Sequence, residues 1–391
     1  NALIKEALEH NRNLQAGAAR VEQAREMTTI DSAGLFPSLN FGLREGVKAS
    51  NSTGDIVGWL LNVSWELDLW GRVRYQSNAA KAQAASAEAD LHWARESLAA
   101  AVAKTWFGAL QNHELVQLQG AWVKEQEALV GITEQRVRIG AMAKSDLYEA
   151  QFRLQQARDS LAQLQLANVQ NIQALEILLG RYPDASLTVA GGLPALPSAP
   201  PKGIPTNLLE RRPDLIAAEQ RVATAFNRAR SAEAARLPKL SLAAGLSSIR
   251  SDMFLLKDID NPSLGGSISI LAPIFNGGAL KAQANIFSAQ QKEASIAYGA
   301  LAMQAIQEVE GSLAAEQSLA QRVLLLEGGM REQQRLREVD TVRVRIGSRD
   351  PRALHSREQL LLSTQMNLTQ TRGAQLAQRV STVLALGGGW E

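Results

Sequence analysis

Residue types that most often do chemistry are sparse in this chain. Its four histidines, His10, His92, His113 and His355, are scattered, with no HExxH or similar spacing that would put two imidazoles on one metal ion. Cysteine is absent, which removes disulfide frameworks, thiolate nucleophiles and Cys-rich zinc sites. No GxxxxGK[ST] loop offers amides to a phosphate, and the glycine run at 387–389 has no helix after it. Serine, aspartate and histidine occur, but no pattern gathers them into a triad. The spacing therefore points to no catalytic, cofactor-binding or metal-ligating residue and argues against an enzyme. What remains is electrostatic. Arg138 and Asp146 flank one glycine turn, and Arg345, Arg349, Asp350 and Arg352 crowd a second.

Those turns belong to a repeat. The pentapeptide RVRIG stands at Arg136–Gly140 and again at Arg343–Gly347, 207 residues on. Gly71-Arg72-Val73-Arg74 aligns with Gly278-Ala279-Leu280-Lys281 at the same offset, and so does Leu179-Gly180 with Leu386-Gly387. Upstream, Phe36-Pro37-Ser38-Leu39 resembles Leu237-Pro238-Lys239-Leu240 at an offset of 201. The six-residue difference must fall between these landmarks, where a loop tolerates insertion. The pattern is a tandem duplication.

Between the landmarks each half carries two stretches of period-2 alternation. In WLLNVSWELDL, Leu61, Val63, Trp65 and Leu67 share one face, while Asn62, Ser64, Glu66 and Asp68 share the other. Its 11 residues suit a tilted strand crossing a bilayer, which needs about 9–11. The neighbouring SLNFGLREGVK and, in the second half, KLSLAAGLSS and LGGSISILAPI complete two hairpins, with loops at SNSTGD and roughly residues 250–262. Four strands cannot close a barrel alone, and open edges are not sustained in lipid. Either the strands pair with other chains or the sheet covers a soluble core.

The rest is helical in composition. No proline interrupts Arg72–Ile139 or Ala279–Ile346, runs that would each span roughly 100 Å as one helix, with glycines as points of local interruption. Gly140 and Gly347 read as residues closing helix C-termini. A return helix then starts at Ser145 as N-cap in one half, and at Asp350 before Pro351 in the other. The first repeat is expected at 1–182 (helix 1–34, strands 38–69, helical hairpin 72–180). A linker at 183–206 holds half of the chain's 12 prolines. The second repeat is expected at 207–391 (helix 207–236, strands 239–275, helical hairpin 279–386). At 391 residues, length alone would suggest two or three domains. A net charge of +2 without a block of Lys or Arg argues against a nucleic-acid partner. No apolar run reaches the roughly 20 residues of a transmembrane helix. A secretory signal is missing, but the chain opens in a helical pattern at NALIKEALEHN, as one whose leader has been removed would.

This order, together with WELDLWGRVR (Trp65–Arg74), LLERRPDL (Leu208–Leu215), APIFNGG (Ala272–Gly278) and LGGGW (Leu386–Trp390), resembles the TolC-like outer-membrane efflux channels, especially their lipoprotein-type branch. The resemblance covers essentially the whole chain. It implies a mainly α protein with a transmembrane β-barrel portion, a homotrimer whose three chains give a 12-stranded barrel and a 12-helix periplasmic tunnel. It implies a passive exit channel of the bacterial outer membrane, contacting outer-membrane lipid. A periplasmic adaptor and an inner-membrane transporter are the implied partners, and drugs or other small molecules the cargo. The alternative is a periplasmic coiled-coil adaptor or scaffold, which two matched helical hairpins disfavour. On the channel reading, Leu61, Val63, Trp65 and Leu67 face lipid and Asn62, Ser64, Glu66 and Asp68 line the lumen, unless the acids bond neighbouring backbone at the barrel base. Trp59, Trp65 and Trp70 either join an interfacial belt or pack a core. In the family, tip contacts hold the periplasmic end shut. Asp146 falls where the family often has Asp, while its counterpart is Ala353 and the acid has moved to Asp350. Arg138, Asp146, Arg345, Arg349, Asp350 and Arg352 are thus the gate candidates, although Asp350 reads first as a helix cap.

Overall fold

The computed structural model describes residues 1–47, 55–198, 208–251 and 263–388. Both hairpin loops, Pro200, Pro201 and Pro205 of the linker, and Gly389-Trp390 lie outside the described residues. The elements in order are α1 (Ala2–His10), α2 (Arg12–Ala33), β1 (Ser38–Val47), β2 (Asp55–Leu67), α3 (Arg72–Arg138) and α4 (Lys144–Leu178). After the linker come α5 (Leu208–Arg211), α6 (Pro213–Ala234), β3 (Lys239–Ser251), β4 (Ser263–Leu271), α7 (Ala279–Arg345) and α8 (Pro351–Ala385).

Several boundaries differ from the sequence expectation, each for a local reason. The helix expected at 1–34 breaks at Asn11, which is extended at ψ 122. Its Oδ1 accepts from the Leu14 amide at 3.1 Å and its Nδ2 donates to the Leu178 carbonyl at 2.9 Å, so Asn11 caps α2 and ties it to α4. The helix expected at 207–236 divides before Pro213, which takes the first position of α6. Strand β4 stops at Leu271, two residues short of Pro273. Helices α3 and α7 each run 67 residues straight through their internal glycines. Helix α4 starts at Lys144 after Ala143 instead of after Ser145, because the Asp146 carboxylate reaches back to the Ala143 amide at 3.1 Å.

The sheet is antiparallel in the order β1-β2-β3-β4. Its register locates the insertion separating the repeats. Ser38 pairs with Ser64 and, in the second half, Lys239 with Leu271. The first members differ by 201 and the second by 207, so all six extra residues fall between Ser247 and Ser263, the outermost pair of the β3–β4 ladder. The same register aligns the faces. Leu39 and Phe41 oppose Val63 and Leu61, which oppose Ala244 and Leu246, and Leu242 and Leu246 oppose Ile268 and Leu264. One face is thus apolar across all four strands, and Ser38, Asn40, Asn62, Ser64, Ser241, Ser247, Ser267 and Ser269 occupy the other.

Two compact units draw on both repeats. One combines 1–16, 93–212 and 303–391; the other combines 17–92 and 213–302. In the second, small residues let helices approach closely. Ala79, Ala80, Ala217 and Ala218 are buried, and the Ser86 hydroxyl donates to the Ala217 carbonyl at 3.0 Å. The first has its own apolar clusters, among them Ala7, Val102, Leu175 and Leu179, with Leu3, Ile4 and Trp106 packed against them. The linker is pinned within this unit. Buried Glu176 accepts from the amides of Ala185 (2.8 Å) and Leu187 (3.0 Å), and Glu114 from that of Leu193 (2.8 Å).

Candidate functional site

Two regions gather the residues singled out above. The first is the pair of helix turns. Gly140 closes α3 at φ +76, its amide donating to Val137 at 3.0 Å while Ala141 donates to Arg136 at 2.8 Å. Gly347 closes α7 in the same way at φ +73, with Gly347 bonded to Val344 and Ser348 to Arg343. This double bond satisfies the last carbonyls and reverses the chain within a few residues.

At the second turn Asp350 is the N-cap of α8, accepting from the Arg352 amide at 2.9 Å. The same carboxylate receives the Arg352 guanidinium at 3.0 and 3.1 Å. It also receives both Nη atoms of Arg136, at 2.6 and 3.0 Å, from the first hairpin. Burial opposes ionisation of Asp350, but the hydrogen bonds from the Arg352 side chain, its backbone amide and Arg136 outweigh it and hold the carboxyl well below the usual range. Asp350 is therefore cap and clamp together.

The other tip residues divide. Arg349 is bonded to Asp340, a carboxylate 1% exposed that also accepts from Arg357 Nε at 3.1 Å. Asp146 braces its own turn, as described. Arg138 and Arg345 are exposed and take no part in the Asp350 cluster. Met142 of the first turn accepts from Arg352 at 3.2 Å, and His355 of α8 meets Glu125 of α3 at 2.7 Å. Sequence reasoning missed Arg136, Asp340, Arg357 and the His355–Glu125 pair. Arg136 opens the repeated pentapeptide, but residues 136 and 138 are two apart on a helix, and nothing local says which one meets α8.

The second region is the sheet and its base. Leu61, Val63, Trp65 and Leu67 lie on the continuous apolar face, and Asn62 and Ser64 on the polar one. Ser64 Oγ bonds Ser38 Oγ at 2.8 Å. Glu66 is on the polar face but its carboxylate is taken by Arg72, at 2.7 and 2.9 Å. Asp68 follows the other of its two readings, bonding neighbouring backbone at the sheet base. It lies past the end of β2 and, instead of continuing a strand face, accepts from the amides of Val73 (3.0 Å) and Arg74 (2.9 Å) at the start of α3. Trp65 donates to the Leu35 carbonyl at 3.0 Å and Trp70 to that of Pro238 at 2.8 Å, fixing both indoles near the sheet base.

Among the described residues no group of three or more His, Cys, Asp or Glu could hold a metal ion, and no helix is long and apolar enough to cross a membrane. Among the described residues, the two regions are one of wall and one of fastening.

Comparison with known proteins gives a consistent answer. Residues 3–181 and 204–388 each match the family described as outer membrane efflux protein, one match per repeat. The chain is 30% identical over 400 residues to the probable efflux pump outer membrane protein TtgC of Pseudomonas putida, covering 99% of this chain and 82% of that protein. It is 27% identical over 397 residues to the cation efflux system protein CusC of Escherichia coli O6:H1, covering 100% of this chain and 86% of CusC. Among solved structures, that of the outer-membrane channel OprN superposes with a TM-score of 0.88 at 26% identity, over 100% of this chain and 90% of OprN.

Proposed function

The chain belongs to the outer membrane efflux protein family, and from that premise we propose that three copies close one passive exit duct served by a periplasmic adaptor and an inner-membrane transporter. The protein is an outer-membrane efflux channel, and family members are channels rather than enzymes. The adaptor alternative falls away, because outer-membrane relatives match 99% or more of the chain.

One observation supports closure by several copies, and the family resemblance supplies the number three. The sheet has four strands, a face apolar throughout, and an unpaired edge on each of β1 and β4. Hydrocarbon does not tolerate unpaired strand edges, and a four-stranded sheet is too narrow to close on itself. Edge-to-edge pairing of β4 with the next copy's β1 satisfies every ladder and turns the polar faces toward a common lumen. In this reading Leu61, Val63, Trp65 and Leu67 meet lipid, Asn62 and Ser64 meet water, and Glu66 and Asp68 anchor the strand base to α3. The Arg136–Asp350–Arg352 cluster fastens one hairpin to the other at the tip, and its release widens the passage for small-molecule cargo. Mass measurement in mild detergent tests the assembly. Three copies per particle are expected, and a stable monomer that still inserts into bilayers would refute it.

A further inference from the structure

The two repeats treat the junction between sheet and helix in opposite ways. In the first, each cation beside the junction has its own acid: Arg72 is held by Glu66, and Arg74 donates to Asp68 at 3.2 Å. The strand register carries these positions to the second repeat at the offset of 207. There Glu66 becomes Pro273, Asp68 becomes Phe275 and Arg72 becomes Ala279, whereas Arg74 becomes Lys281 and keeps its charge. At the upstream offset of 201, Leu35 becomes Arg236, an added cation. Both acids are gone, replaced by Pro273 and Phe275, while two cations, Arg236 and Lys281, remain at the junction.

Arg236, Pro273 and Lys281 border a pocket of about 560 Å³. Arg236, Lys281, Trp70, Tyr75, Leu237 and Pro273 are among its lining, and the whole pocket lies within the sheet-bearing unit. Its acid, Glu233, is already paired with Arg230 at 3.1 Å. Arg236 and Lys281 are exposed, with no side-chain partner among the described residues. Beside the pocket Ile274 and Phe275 are 91% and 90% exposed in the single chain. Cations that point to water next to bare apolar side chains, just below a membrane-crossing sheet, match a phospholipid: phosphate on the cations, glycerol and acyl chains on the apolar rim.

We infer that the junction pocket of the second repeat binds the headgroup of an anionic phospholipid of the periplasmic leaflet, with Arg236 and Lys281 on the phosphate. This rests on the outer-membrane placement of the sheet. The phosphate chemistry alone would also admit a free anion; the exposed Ile274 and Phe275 favour the lipid. In the first repeat the pocket at the same junction has its cation, Arg72, neutralised by Glu66.

Native mass spectrometry on the whole detergent-solubilised protein, titrated with phosphatidylglycerol, phosphatidylcholine or inorganic phosphate, tests it. Phosphatidylglycerol should bind in preference to phosphatidylcholine. The double variant Arg236→Gln/Lys281→Gln should bind it about thirtyfold more weakly, at the usual contribution of a basic residue near an anionic surface. Arg236→Lys/Lys281→Arg should restore binding, and Arg74→Gln in the first repeat should leave it unmoved. Equal retention of both lipids, or undiminished phosphatidylglycerol on the double variant, overturns the assignment. Displacement of the lipid by inorganic phosphate at equal concentration overturns it too, in favour of a free-anion site. Bilayer conductance recorded alongside separates the two readings. A protein that conducts nothing yet binds lipid through these residues refutes the channel and leaves this inference standing.

Discussion

At Asp350 a single carboxylate accepts from its own helix start and from two guanidiniums, and substitutions can separate these roles. Asn keeps the cap but loses the charge, and Ala loses both. Asp350→Ala should lower stability by about 1 kcal/mol through the missing cap, and Asp350→Asn by much less. If the ionic contact with Arg136 fastens the tip, both variants should raise the opening frequency in planar bilayers. Unchanged frequency in Asp350→Asn would reduce the residue to a cap. Asp146→Ala, whose carboxylate only braces its own turn, should change opening less than either. The pH response follows from the depressed carboxyl. A group depressed in the closed arrangement contributes fully above the ordinary aspartate value of about 3.9 and is lost only as acid titrates it below that. Opening frequency should therefore be flat from about pH 8 to about pH 5 and rise only in stronger acid. A rise near neutral pH would mean that Asp350 is not the fastening carboxylate.

At the scale of elements, strands and long helices were legible in the sequence because each leaves a periodic trace. Alternation in WLLNVSWELDL marked β2 and its two faces, and the proline-free runs marked α3 and α7. Asp350 before Pro351 was readable as a cap for the same reason: capping is local chemistry. Contacts between elements left no such trace. Arg136 reaches Asp350 across 214 positions, and buried Asp340 of α7 is fixed by Arg349 of the turn that follows and Arg357 of α8. Asp68 extended the strand's alternation on paper, but its carboxylate was drawn to the unpaired amides that open α3. Two predictions belong to this scale. Val63 lies opposite Leu39 and Ala244 in mid-sheet, so Val63→Arg should cost about 2–4 kcal/mol if near the bilayer midplane. Cysteine at position 64 should react with a water-soluble reagent while cysteine at 63 is spared, and the reverse pattern would invert the face assignment. The helix-closing glycines should also differ from one another. A Cβ on Gly140 meets nothing within 4 Å, so Gly140→Ala should cost only the left-handed strain of about 1–2 kcal/mol. A Cβ on Gly180 would sit 2.4 Å from the His10 carbonyl oxygen, so Gly180→Ala should lower the thermal midpoint distinctly more. Equal shifts would show that the α1–α4 contact gives way freely.

For the whole molecule, the sequence repeat and the spatial unit are different divisions. Each unit takes chain from both repeats, β2 pairs with β3 across the duplication, and Arg221 meets Asp90 at 2.6 Å. A fragment of residues 1–182 alone should therefore show no cooperative unfolding transition by circular dichroism and should be cleaved quickly by protease. Co-expression with 207–391 should restore both properties. A fragment that melts cooperatively by itself would mean that the first repeat is an autonomous fold.

The sheet register also sets a timetable. Hairpins β1–β2 and β3–β4 close over short loops, but in the central ladder Ile56 waits for Ser251 and Leu67 for Leu240. Hairpins form in microseconds, whereas pairings this distant along the chain are entropically late. Two ready-made hairpins with bare apolar faces must then persist while α3, α4 and the linker find their places. During that interval the nascent chain is at its most adhesive, and its yield should depend on holdase capacity in the compartment where it waits. Depleting that capacity should lower assembled protein more than it lowers synthesis.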